Sequence, residues 1–171
     1  MSQHLPDHLD PWRFTDLGKR ISGSYLLASL TRLRECLADP EGEVRFNLEF
    51  FHDERHRACV RGVIEATLAL QCQRCLEIMA WPVHADVSLT FVESIDEAER
   101  LPETLDPILV ENGQIILRDL IEDELLLALP QVAMHPIGGC KSRVEEQPLV
   151  DDASVHANPF AVLAELKRND K

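Results

Sequence analysis

Three stretches of the chain alternate apolar and polar residues with a period of two. In EVRFNLEFF, Val44, Phe46, Leu48 and Phe50 alternate with Arg45, Asn47 and Glu49. From Ala58 to Gln71, Val60, Ile64, Ala66, Leu68 and Leu70 share one face, and Arg61, Glu65, Thr67 and Gln71 the other. Val83, Ala85, Val87, Leu89 and Phe91 then alternate with His84, Asp86, Ser88 and Thr90. Period two puts successive side chains on opposite sides of a strand, so each stretch predicts a half-buried strand. Gly62 falls on the apolar face and marks a bulge or a close backbone approach. Pro82 predicts that the third strand starts there or lies at an edge. The polar HDERHR stretch supplies a turn between the first two strands. Together they predict an antiparallel meander with one wet face.

Elsewhere the apolar spacing is helical. Leu26, Leu27, Leu30, Leu33 and Leu37 predict a helix over 24–37, with Ser24 as cap and Asp39, Pro40 and Gly42 ending it. Residues 1–23 read as an extended lead-in pinned by Trp12 and Phe14. An acidic loop over 93–106 precedes two short apolar runs, Pro107 to Val110 and Gln114 to Leu117. They flank Asn112-Gly113, a strong hairpin signal. A helix is expected over 118–129, burying Leu120, Ile121, Leu125 and Leu129 while Glu122, Asp123 and Glu124 face water; Pro130 ends it. Residues 136–157 mix Gly, Pro, Ser, Glu and Asp and read as a flexible acidic linker. A last short helix has Asn158 as cap, Pro159 in its first turn, Phe160, Val162, Leu163 and Leu166 as apolar positions, and Lys167 and Arg168 at its end. The expected fold is thus α+β: an antiparallel meander packed with a few helices over 1–135, a linker over 136–157, and a C-terminal helix and tail over 158–171.

Charge narrows the functions. The 171 residues carry a formal net charge of −13, so a broad surface repels nucleic-acid phosphates. Between Glu93 and Glu124 eleven acidic residues face only Arg100 and Arg118. That stretch is either a solvated face or a docking face for a basic protein. Arg55, Arg57, Arg61 and Arg74 lie near the strands and leave room for a small RNA contact. No signal-peptide pattern or long apolar run occurs, which points to the cytoplasm and away from membranes.

The candidate chemistry lies in the cysteines. Five cysteines are an odd number, which disfavours a disulfide framework and favours reduced thiols or a metal site. Cys72-Gln73-Arg74-Cys75 has the spacing with which a tight turn aims two sulfurs at one metal ion. His135 and Cys140 offer a second pair, so a Cys3His zinc site is chemically open to the chain; the alternative is four ordinary buried or loop side chains. Cys36 and Cys59 fit core positions. A thiol redox enzyme using Cys72 and Cys75 is a further alternative, although the pair lies between two strands and not at a helix N-terminus. No phosphate-binding glycine loop, serine elbow or His-Glu-x-x-His motif is present. His52 and His56 read as surface residues.

The run LQCQRCLE, then LPETLDPILVENGQIILRDLIEDELLLALPQVAMH, then Cys140 and the terminal ANPFAVLAELKR, resembles the YceD family, the large ribosomal RNA subunit accumulation proteins. The resemblance runs from about residue 43 to 168 and is weaker over 1–42 and 141–156. It implies a non-enzymatic factor in the synthesis, processing or accumulation of large-subunit ribosomal RNA, with a ribosomal protein or an RNA-processing factor as partner. Some members have a richer set of cysteines after the helix; here His135 stands where those members place one. The expected partner contacts are Glu122, Asp123 and Glu124 with Phe160, Leu163 and Leu166. The last three either dock in a partner groove or pack on the chain's own sheet.

Overall fold

The computed structural model describes residues 8–140; the C-terminal helix and most of the linker expected above lie outside this range. The three alternating stretches form β3 (Glu43–His52), β4 (Ala58–Gln71) and β5 (Ile78–Val92), joined antiparallel. Val44, Phe46, Leu48 and Phe50 are buried on one side of the sheet, as are Val60, Ile64 and Leu68 from β4 and Val83, Val87 and Phe91 from β5. Glu49, Arg61 and Asp86 lie on the wet side. Gly62 is a close approach: a Cβ there would run into the Asn47 carbonyl oxygen and lie 2.9 Å from the Leu48 Cα.

Between 20 and 37 the chain departs from the helix that leucine spacing predicts. Arg20–Leu26 is strand β2, paired antiparallel with β3 from Arg20↔Glu49 to Leu26↔Glu43. Ile21, Gly23 and Tyr25 face the core side while Ser22 and Ser24 face out, an alternation hidden by the following leucines. Leu27–Ser29 makes a single 3₁₀ turn and Thr31–Arg34 the short helix α2. Leu27, Leu30 and Leu33 are fully buried through these turns, but Leu26 is exposed. Pairing along the free edge of β3 wins over local helix propensity here.

The lead-in is also more ordered than expected. His8–Leu9 is β1 and Pro11–Asp16 is α1, with Asp10 Oδ1 accepting from the Arg13 N–H at 3.1 Å and Pro11 in the first turn. Trp12 meets Phe91 edge-on at 6.2 Å and Phe14 meets Phe50 at 5.5 Å, so the two aromatics do anchor this segment.

The acidic loop holds one short helix, α3 (Ile95–Ala98), capped by Ser94. The turn at Asn112-Gly113 is real, with both residues at positive φ and a bridge between Glu111 and Gln114. The hairpin ladder is not: β6 (Asp106–Leu109) runs parallel to β5 at Leu89–Val92, while β7 (Ile115–Ile116) pairs with β1. The sheet order is therefore β2-β3-β4-β5-β6 with a separate β1-β7 pair, an α+β fold. Strand β5 begins five residues before Val83 and runs through Pro82, which lies opposite Thr67. The Cys72 N–H to Glu77 C=O bond sets the alternation of the ladder and leaves the Pro82 nitrogen facing the open edge.

Helix α4 (Leu117–Leu127) buries Leu117, Leu120, Ile121 and Leu125. It also buries Glu122, only 2% exposed, which the expected helix face had placed in water. The Glu122 carboxylate accepts the Arg32 N–H at 2.7 Å and the Leu33 N–H at 2.9 Å. These are orphan donors at the start of α2, which has no side-chain cap of its own. The Arg32 guanidinium adds a bond to Glu122 at 3.2 Å and one to Asp123 at 2.6 Å. A carboxylate from another helix thus takes the place of a local cap.

Glu122→Ala is expected to cost about 2–4 kcal/mol, because it orphans the buried Leu33 N–H and the part-buried Arg32 N–H, whereas the exposed Asp123→Ala costs under about 1 kcal/mol. Gly62→Ala should cost more than about 2 kcal/mol, because backbone blocks the added methyl. Urea midpoints of the three variants check this order.

Candidate metal centre

Cys72 follows β4 directly and Cys75 lies three residues on, within the turn that leads to β5. The turn is closed by the Cys72 N–H to the Glu77 carbonyl at 2.9 Å and by the Leu76 N–H to the Cys72 carbonyl at 2.8 Å. Leu76 adopts a positive φ of 62° to complete it. After Pro130 ends α4, the chain runs past this turn, and the Gln73 N–H donates to the Ala133 carbonyl at 2.8 Å. Residues 136–140, read from sequence as the start of the linker, form a turn: Gly138 has a φ of +83° and the Gly139 N–H donates to the Pro136 carbonyl at 2.9 Å. That turn brings His135 and Cys140 to the cysteine pair.

The four ligand atoms of Cys72, Cys75, His135 and Cys140 all lie within 4.8 Å of one another. The Cys72 and Cys140 sulfurs are 3.7 Å apart; His135 Nδ1 is 3.4 Å from the Cys75 sulfur and 3.8 Å from that of Cys140. Zinc–sulfur bonds of about 2.3 Å and zinc–nitrogen bonds of about 2.0 Å at tetrahedral angles give edges of about 3.8 Å between sulfurs and about 3.5 Å between sulfur and nitrogen. The three separations of 3.7, 3.4 and 3.8 Å match those edges. Three thiols and one imidazole are also a donor set suited to zinc. These side chains therefore form a cluster that can hold one metal ion.

The surroundings favour thiolate at one position. Burial acts to push the Cys72 thiol up, but the N–H groups of Cys75, His135 and Arg74 aimed at its sulfur outweigh it and lower the thiol from 9.0 to about 5. At Cys75 the Glu77 N–H favours the thiolate, yet burial and the sulfurs of Cys140 and Cys72 prevail and push that thiol up. Three sulfurs that cannot all carry charge side by side are what a divalent cation relieves.

Arg74, inside the cysteine turn, is a side chain whose role sequence reading missed. Its Nε donates to the Cys140 sulfur at 2.9 Å, a bond that raises the guanidinium pKa further, and its Nη2 donates to the His135 carbonyl at 3.1 Å. One side chain thereby latches the 135–140 turn to the cysteine turn across more than sixty residues of chain. Nothing local in the sequence names that partner.

The remaining candidates fall elsewhere. Glu122 is buried and engaged with α2, while Asp123 is exposed and Glu124 half-buried. Phe160, Leu163 and Leu166 lie outside the described residues. Desolvation, with the nearby charges of Asp106 and Asp123, pushes the Glu124 carboxyl above its ordinary 4.5. His52 is exposed and meets Asp16 at 3.0 Å. The arginines do not gather into one patch: Arg57 pairs with Asp53, Arg61 shares Glu49 with Arg20, and Arg74 sits beyond the opposite end of β4. Cys59 is buried beside Thr90, and Cys36 is exposed. No helix of the described residues is long and apolar enough to cross a membrane.

Comparison with known proteins adds a family. The family model described as large ribosomal RNA subunit accumulation protein YceD matches residues 60–167, a span that contains all four cluster residues. A relative from Haemophilus influenzae, the large ribosomal RNA subunit accumulation protein YceD, is 34% identical over 170 residues, covering 96% of this chain and 97% of the relative. No solved structure matches the chain.

Arg74→Ala should weaken zinc affinity about 10- to 100-fold in a competitive chelator titration, the range for loss of a group that orients a ligand. Glu124→Gln should raise the melting temperature slightly at neutral pH. The folded state holds the Glu124 proton more tightly than the unfolded state, so its ionisation costs stability above its raised pKa. The gain should disappear below about pH 4.5, where the carboxyl is protonated in both states.

Proposed function

Because the chain belongs to the YceD family, we propose that it is a non-enzymatic cytoplasmic factor that supports the accumulation of large-subunit ribosomal RNA through protein partners. The observation that carries this reading is the match over nearly the whole length of a curated relative, whose name states the accumulation of large ribosomal subunit RNA. Charge supports the partner class. A chain of net charge −13 is repelled by RNA phosphates, and it attracts a basic ribosomal protein or a similarly basic processing factor. Asp106, Asp123 and Glu124 are close enough for their charges to interact, and they form the acidic contact in this proposal. Glu122 drops out of that contact because it caps α2. Phe160, Leu163 and Leu166 provide the apolar contact.

In the same reading Cys72, Cys75, His135 and Cys140 bind zinc as a structural ion. Such an ion supplies cross-linking and no reaction: four protein ligands leave no open position for substrate or water. The cysteine turn and the 135–140 turn then behave as one piece.

Cells lacking the gene should show a lowered ratio of large- to small-subunit ribosomal RNA, restored by the wild-type chain. An Asp106→Lys, Asp123→Lys, Glu124→Lys variant that folds normally should fail to restore it. An unchanged ratio on deletion contradicts the accumulation role, and full rescue by the triple variant contradicts the acidic contact.

A further inference from the structure

The three cluster sulfurs differ in access. Cys72 is fully buried and Cys75 nearly so, but Cys140 is only half-buried, at the end of a turn that lies outside every strand and helix of the described residues. Its sulfur is 3.7 Å from that of Cys72, at van der Waals contact, and a disulfide needs about 2.0 Å. The movement that closes this gap falls on the glycine-containing 136–140 turn and not on the β4 end. The Arg74 Nε–H donates to the Cys140 sulfur at 2.9 Å, and the His135 N–H donates to that of Cys72 at 3.4 Å. A partly accessible sulfur with a donor on it and a fully buried second sulfur in contact behind it is the layout of an attacking and a resolving cysteine.

We propose that Cys140 is an oxidation site for hydroperoxides and that Cys72 resolves it as a Cys72–Cys140 disulfide, releasing the metal ion. The Cys140 thiolate attacks one peroxide oxygen: an S–O bond forms, the O–O bond breaks and hydroxide leaves, giving a sulfenic acid. The Cys72 thiolate then attacks that sulfur: the S–S bond forms, the S–O bond breaks and a second hydroxide leaves. Two thiolates lose two electrons in total, and one hydrogen peroxide is reduced to two hydroxide ions. Loss of two of four ligands opens the site, and a dithiol reductant restores it. This rests on the ligand set proposed above and makes the ribosomal factor responsive to peroxide. It differs from a Cys72/Cys75 exchange enzyme in the pair that forms and in the release of the metal ion that accompanies it.

The test treats full-length, zinc-loaded protein with hydrogen peroxide. Released zinc is read with a chromogenic chelator, and disulfides are mapped by mass spectrometry after alkylation. One zinc released per Cys72–Cys140 disulfide is expected, reversed by dithiothreitol with added zinc. Cys36→Ser should behave as wild type, although Cys36 is the more exposed thiol. Cys140→Ser should slow peroxide-driven zinc release at least about tenfold. If that variant misfolds, the wild-type disulfide map decides. A Cys72–Cys75 product, or oxidation confined to Cys36 with zinc retained, overturns the proposal. Untreated protein that takes up no zinc overturns the ligand reading instead, and the disulfide map of that protein still decides the oxidation chemistry.

Discussion

The β4–β5 ribbon is longer than the sheet that supports it. Strand β3 covers β4 only from Ala58 to Glu65, yet β4 and β5 stay paired out to Gln71↔Ile78. Among the described residues, from Ala66 onward the other side of β4 has only the Asp39↔Ala69 bridge, with the Ala38 N–H on the Ala69 carbonyl at 2.8 Å. A two-stranded ribbon is marginal in water by itself, so its tip needs another anchor. That anchor is the cysteine turn, tied to the chain after α4 by the Gln73 to Ala133 backbone bond and by Arg74. The ligand cluster stands where the sheet gives out, and a metal ion there would replace the missing neighbour strand.

The same economy recurs in the middle of α4. Helix α2 is a single turn with no side-chain cap, and the buried Glu122 carboxylate of α4 completes it. One helix thus holds the β2–β3 connection by its body and leads from its end into the loop that carries His135 and Cys140. The buried acid is part of that scaffold, whereas Asp106 and Asp123 are exposed, Asp123 pairing with Arg32, and Glu124 is half-buried.

What could be read from sequence follows from how local each signal is. Strands β3, β4 and β5 were legible because a one-sided sheet imposes strict alternation. Strand β2 was not: Ile21, Gly23 and Tyr25 alternate, but five leucines at helical spacing follow, and only the free edge of β3 decides between the two. The Asn112-Gly113 turn was legible from its need for positive φ, while the partners of β6 and β7, distant in sequence, were not. All four cluster residues could be named from ligand chemistry; their meeting depended on a fold that joins residue 72 to residue 140. Glu122 was misplaced because a helix-face argument treats every glutamate as solvent-facing, and a cap supplied from ninety residues away leaves no local trace.

The most direct measurement is amide hydrogen exchange of the full-length protein with one equivalent of zinc and after chelation. The account expects chelation to remove protection at Cys72, Gln73 and Leu76 and along Ala66–Gln71, while Val60–Ile64, flanked on both sides, stays protected. Unchanged exchange at the tip, or an equal loss across the whole sheet, would contradict the view that a metal ion secures the end of the ribbon.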